Sequence, residues 1–245
     1  MILKKTKLVP PVLIEPCPIV EAVCEIRFEP NVPEETVFGR AYSKIHTHAG
    51  NPVPTPLAGL TGQLPKDAAL AFQPHYRFES SDYLIQLGPR VFSVVTKGAY
   101  PGWEKFSAKV KDTMHAFFSA GVLKEISRLG LRYINFFEGH DIYKNIDLEI
   151  KFEGVAIDGQ ETALSTILSE GLNHHIQIRK DNFMIARPDV RGSIIDIDSF
   201  VLPPKATLAD FDKLLELAHL EEKQIFFGLL KPEFLAQFKP QYPSK

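Results

Sequence analysis

The chain has 245 residues, of which 44% are hydrophobic and 11% aromatic, with 18 Phe. That is enough apolar material to fill a sizeable core, which excludes a disordered chain, and the length suits one large domain or two small ones. Lys and Arg total 28, Asp and Glu 30, for a formal charge of −2, so no strong overall field draws the chain onto nucleic acid or anionic lipid.

Residues 1–18 read as an irregular arm. The stretch MILKKTKLVPPVLIEPCP is basic and then apolar, but Pro10, Pro11, Pro16 and Pro18 interrupt it, and it fails as a signal-peptide core. No apolar run approaches the roughly 20 residues that span a bilayer. The expectation is therefore a cytoplasmic protein with no membrane partner. Residues 19–28 alternate, with Val20, Ala22, Cys24, Ile26 and Phe28 on one face and Glu21, Glu25 and Arg27 on the other. That period is a half-buried strand. Cys17 and Cys24 form no CxxC pair, so free thiols are expected rather than a zinc site, with Cys24 in the core.

Pro33, Glu34 and Glu35 open a helix over 33–49. The proline-rich stretch 50–74 reads as a long loop. Tyr76 and Phe78, then Tyr83, Ile85 and Leu87, then Val91 to Thr96 read as successive antiparallel strands, with turns at Ser80-Ser81-Asp82 and Gly88-Pro89. A helix follows, in which Trp103, Phe106, Val110, Met114 and Phe117 make one apolar stripe that stops at Gly121. Residues 126–137 read as a central strand whose second face carries Arg128, Gly130, Arg132, Ile134 and Phe136.

The remainder reads as a variation on the same series. It starts with a strand at 147–153 and a short helix at 161–172. A hairpin over 174–187 turns at Lys180-Asp181-Asn182, and a strand covers 193–202. The longest helix covers 207–230, with Thr207 as N-cap and Asp210 three positions on. Its stripe is Leu208, Phe211, Leu215, Ala218, Ile225 and Leu229. The expected fold is α+β, an internal duplication of two similar halves (19–140 and 141–245). Each half is an antiparallel sheet covered by a long amphipathic helix, and the two sheets can run together into one curved sheet. The uncovered sheet face, or the cleft between the halves, is then open to a ligand.

The pattern with most chemical content is Asp196 and Asp198. Two apart in a strand, their carboxylates project from one face about 7 Å apart at the backbone, between Ile194 and Phe200. With Asp189 just upstream they could hold Mg²⁺ or Mn²⁺. Alternatively they pair with Arg128, Arg132 or Arg179. Arg128 and Arg132 share a strand face and could grip a phosphate or carboxylate, or simply pair with the two aspartates. His174 and His175, adjacent in a strand, point to opposite faces and cannot chelate one ion. His46 and His48 stand at a helix end without a carboxylate at metalloenzyme spacing. No G-x-S-x-G elbow and no glycine-rich phosphate loop occurs. Tyr100-Pro101-Gly102-Trp103 reads as an anchor for the helix that follows.

Five segments, PIVEAVCEIRF, YRFESSDYLIQLGP, AYPGWEKF, RLGLRYINFF and IIDIDSF, together resemble a sporadically distributed family of prokaryotic proteins defined by sequence and lacking an assigned activity. The resemblance runs through nearly the whole chain, the 50–74 stretch excepted. It implies a stand-alone soluble bacterial protein of about this length, and the patchy distribution associates it with defence genes. The leading expectation is a non-enzymatic binding protein with a protein partner, accessory to a bacterial defence or toxin–antitoxin system, needing no cofactor and using Arg128, Arg132, Asp196 and Asp198. The second is a metal-dependent phosphoester hydrolase on Asp189, Asp196 and Asp198. A nucleic-acid binder is third.

Overall fold

The computed structural model describes residues 9–61, 69–156, 162–184, 187–203 and 208–243. In chain order the strands are Ile19–Pro30 (β1), Pro52–Pro54 (β2), Tyr76–Glu79 (β3), Tyr83–Leu87 (β4), Val91–Thr96 (β5), Leu123–Glu138 (β6), Lys151–Phe152 (β7), Val155–Ala156 (β8), Ala163–Glu170 (β9), Leu172–Met184 (β10) and Arg187–Val201 (β11). The helices are Glu34–Ile45 (α1), Trp103–Phe118 (α2), Ile142–Asn145 (α3), Phe211–Leu229 (α4) and Pro232–Leu235 (α5). Nine strands make one unclosed antiparallel sheet in the order β2-β3-β4-β5-β1-β6-β11-β10-β9, while β7 and β8 pair apart from it. The fold class is thus mixed α and β around a large antiparallel sheet.

By compactness the chain divides into two units, each discontinuous in sequence: Met1–Val20, Arg132–Ser199 and Leu217–Lys245 in one, Glu21–Leu131 and Phe200–Glu216 in the other. The expected boundary after residue 140 falls inside the first of these.

In the second unit the alternation along β1 sets the core. Ala22, Cys24, Ile26 and Phe28 are fully buried. Cys24 faces Val94 and Ile26 faces Phe92 across the β1–β5 pair, and Ile85 and Leu87 continue that face on β4. Phe117 of α2 drops onto it, its ring stacked 4.1 Å from Phe92 and tilted against Phe28 at 5.4 Å. Tyr42 of α1 stacks on Phe78 of β3 at 6.0 Å. Gly121 ends the α2 segment at φ +63°, a conformation that costs glycine little.

In the first unit Phe137, Ile176, Ile178, Ile195 and Ile197 from β6, β10 and β11 cluster with Ile225, Phe226 and Phe227 of α4 and with Phe234 and Phe238 beyond it. Gly192 is required there: a Cβ at this position would collide with the Phe137 carbonyl and the Phe136 ring.

Several sequence expectations need correction. Residues 163–170 form strand β9 rather than a helix, because they pair antiparallel with β10 along its length. No turn forms at Lys180-Asp181-Asn182, since β10 continues to Met184. The strand expected at 147–153 shrinks to Lys151–Phe152, and the strand expected to begin at 193 begins at Arg187. The 50–74 loop contains β2 and the 3₁₀ turns Pro56–Leu60 and Ala69–Phe72. The expected N-cap Thr207 lies outside the described residues.

Because Phe117 is fully buried between two other rings, Phe117→Ala should destabilise the protein by about 3–5 kcal/mol in urea-induced unfolding. A loss below about 1 kcal/mol would show that α2 does not depend on this contact.

Candidate functional site

Strand alternation sends Arg132, Asp196 and Asp198 to the face opposite the apolar cluster of the first unit. The Arg132 guanidinium holds the Asp196 carboxylate with both prongs, Nε to Oδ1 at 2.8 Å and Nη2 to Oδ2 at 2.5 Å. Asp196 is only 6% exposed, so this forked pair is what makes its ionised burial tolerable. Asp198 is half-buried beside it in sequence. On the same unit, β10 and β9 present a polar ladder. Ser165 Oγ lies 2.8 Å from His175 Nε2, Ser169 donates to Asn173 Oδ1 at 2.8 Å, and Arg179 donates to Gln177 Oε1 at 2.9 Å.

Arg128 belongs to the other unit. It donates to Glu25 at 3.2 Å and lies 4.5 Å over the Phe200 ring. Its guanidinium rests on Gly130, where a Cβ would stand 2.5 Å from Nη1. The glycine between the two arginines therefore makes room for the first of them. Asp189 is exposed on β11. Among the described residues no group of three or more His, Cys, Asp and Glu side chains is placed to hold a metal ion.

Sequence reading did not anticipate the polar set beneath α4. His174, on the buried side of β10 and 1% exposed, approaches Ser199 Oγ through Nδ1 at 2.8 Å. Its Nε2 lies 3.2 Å from Glu221 Oε2, near enough for an ion pair but not aligned as a hydrogen bond. Burial lowers the His174 pKa and raises that of Glu221. Both shifts run against charge, so burial weakens this contact as an ion pair. The serine–histidine–glutamate order has the outline of a nucleophile relay, but Ser199 is fully buried. One turn detail completes the set. Glu222 is 2% exposed and neither carboxylate oxygen has a hydrogen-bond partner. Burial first, and then the Asp198 charge, push its pKa well above the ordinary 4.5, and the nearby Tyr133 backbone amide offsets only part of that shift.

The two ends of the sheet differ. Strand β2 is three residues long and contains Pro52 and Pro54, a protected edge. Strand β9 at the other end is eight residues long, and its sequence ALSTILSE has no proline and one terminal charge. Its Ala163, Ser165, Ile167 and Ser169 are all exposed, Ile167 by 60%.

The chain matches no protein-family model and no curated protein. Among the described residues no helix is long and apolar enough to cross a membrane.

Replacing Arg132 by Met leaves Asp196 without its forked partner and should cost roughly 1–3 kcal/mol, a value discounted for the partial exposure of the arginine. Adding Asp196→Asn should recover most of the loss in a double-mutant cycle; equal, additive losses would show that the pair is energetically idle. Glu222 makes a separate pH prediction. Its raised folded pKa gives a stabilising difference that is full below 4.5. That difference is lost as pH rises through the folded value, because the unfolded chain releases the proton first. The Tm of the wild type should therefore fall, relative to that of Glu222→Gln, as pH is raised from about 5 to 8. His174 acts in the opposite sense, losing stability as pH drops below its ordinary 6.5, but it is common to both proteins and cancels. Parallel Tm profiles would refute the assignment.

Proposed function

We propose that this chain is a non-enzymatic protein-binding module that receives an extended segment of a partner along β9. The carrying observation is the contrast between the two sheet edges. An eight-residue, nearly uncharged edge strand offers backbone N–H and C=O groups to another chain, whereas the opposite edge is cut short by prolines. The polar ladder of His175, Asn173 and Gln177, with Arg132, Asp196 and Asp198 on the same unit, would supply side-chain selectivity beside the backbone pairing. Arg128 contributes on its own unit through Glu25 and Phe200.

The architecture is read as an internal duplication. Two features support it: the order of elements β1, α1, β3–β5, α2 has a counterpart in β6, α3, β9–β11, α4, and the sheet order β3-β4-β5-β1 is mirrored by β6-β11-β10-β9. In each series one long helix lays phenylalanines on one face of its strands, Phe117 in one and Phe226 in the other. That cover leaves the reverse face for recognition. Membership of the family it resembles, and a cytoplasmic role accessory to a bacterial defence or toxin–antitoxin system, are part of the proposal and rest on the resemblance.

The test is affinity capture from the native host with wild type, Ile167→Lys, and Glu104→Gln as a control on α2. A charge on the edge strand should weaken the specific partner by about tenfold or more, while the control retains it. Retention of the same partner by a folded Ile167→Lys protein, or turnover of a substrate in a broad hydrolase screen, would overturn the reading.

A further inference from the structure

The backbone of β9 is committed on one side only. Lys180 N–H donates to the Thr162 carbonyl at 3.0 Å. The register runs on from there, with Ile178 opposite Leu164, Ile176 opposite Thr166 and His174 opposite Leu168. Bonded and unbonded pairs alternate along an antiparallel ladder. The even-numbered residues of β9 therefore turn their N–H and C=O groups to β10. Those of Ala163, Ser165, Ile167 and Ser169 point away from the sheet, in which β9 is the last strand. Each of these residues offers one donor and one acceptor along the edge. From Ala163 to Ser169 neither a proline nor a charge guards it.

The side chains are disposed about Thr166. Leu164 and Leu168 stand two residues to either side of it, half-buried at the rim of the cluster that holds Ile176 and Ile178. On the reverse face Ser165 and Ser169 are tied back to His175 and Asn173, while Ile167 is left 60% exposed. An antiparallel copy of the same strand, set with a two-fold axis at Thr166, answers each of these groups. Ser165 then faces Ile167 of the second copy and Ala163 faces its Ser169, so all the outward backbone groups meet partners. Leu164 faces Leu168 of the second copy on both sides of the axis, which extends the apolar cluster. The two Ile167 side chains become diagonal neighbours, about 7–8 Å apart at the backbone and within contact. Moving the axis to Ser165 or to Ile167 breaks both leucine pairs and carries one outward residue past the end of the other strand. With no charge between Ala163 and Ser169, a self-complementary contact here brings no like charges together.

We propose that β9 pairs antiparallel with β9 of a second copy of this chain, about a two-fold axis at Thr166. The inference rests on the reading of β9 as a docking edge and names its occupant. The strand has eight residues, which at about 3.4 Å each extend only about 27 Å. A contact this short falls below the roughly 1,200 Å² of total buried area that stable interfaces need. The dimer is therefore a weak one, half-dissociated at about 10 μM.

The experiment is sedimentation velocity of the full chain from about 1 to about 300 μM, a range that brackets this constant. Wild type should pass from monomer to dimer. Ile167→Lys, an exposed change, sets two ammonium groups beside the axis and should weaken association by about tenfold or more. Crosslinking reads the register, with the exposed Cys17 replaced by Ser. Thr166→Cys should form an intermolecular disulfide on mild oxidation, because residues opposed on the axis stand about 4.5 Å apart at Cα. Ala163→Cys should not, since its own counterpart lies six residues, or about 20 Å, along the other strand. A chain still monomeric at the highest concentration, a dimer that Ile167→Lys leaves intact, or crosslinking at Ala163 as ready as at Thr166 would each overturn the proposal. The docking reading of β9 survives any of these results if capture of one host protein is lost in Ile167→Lys, and falls with the dimer if it is not.

Discussion

Alternation along the strands leaves every charged residue of the sheet's middle only one outlet. On β6 and β11 the apolar side chains turn to the face that receives α4, so Arg132 and Asp196 must emerge together on the other. At 6% exposure an Asp196 carboxylate without partners would be costly to bury. The fork from Arg132 satisfies both carboxylate oxygens, and it fixes the two strands in one register because a slip by one residue would send one partner into the apolar side. The same logic governs β1 and β6 in the other unit. There Arg128 is held by Glu25, a ring and the absence of a side chain at Gly130. Of the four charges singled out in the sequence, Arg132 and Asp196 neutralise each other, while Arg128 shares Glu25 with Arg27.

The parts of the fold that were legible in sequence are those where one period dominates locally. The inward positions of β1, Ala22, Cys24, Ile26 and Phe28, are all apolar and Val23 is the one apolar residue between them, α2 repeats its aromatic and aliphatic residues at helical spacing, and the turns before β4 and β5 carry Ser-Ser-Asp and Gly-Pro. The failure at β9 has an equally definite cause. Leu164, Ile167 and Leu168 stand at i, i+3 and i+4, which is a helical stripe on its face. In the structure Leu164, Thr166 and Leu168 turn inward opposite Ile178, Ile176 and His174, and Ile167 is left in solvent. Pairing with β10 overrode the local pattern, as long-range contacts do where the segment is short and ambiguous. The polar run at 180–182 misled in the same way, since a turn signal has no force when the ladder continues through it.

Glu222 was within reach of the same reasoning. Leu215, Ala218, Glu222 and Ile225 fall at spacings of three, four and three, so the stripe that predicted α4's buried side also put this carboxylate inside it. A stripe read by its apolar members alone passes over the one polar member that matters most. By contrast, the approach of Ser199 to His174 depends on the β10–β11 pairing, and no spacing in the sequence encodes it. The 2.7 Å contact of Thr61 with His75 is of the same kind, because no spacing in the sequence encodes it.

The His174 set shows why residue types alone do not make a reaction centre. A nucleophile relay needs a serine open to substrate, a histidine that can take its proton, and an acid that stabilises the resulting charge. Here Ser199 is fully buried, and burial opposes charge on both His174 and Glu221. Protonating the histidine would place a cation in an apolar layer whose nearest acid is itself held toward neutrality. Transfer is therefore disfavoured by the same burial that brings the groups together. In this arrangement the three side chains act as packing that must find its own hydrogen bonds. The one firm bond, His174 to Ser199, ties β10 to β11 behind the face on which β9 and β10 display their polar ladder.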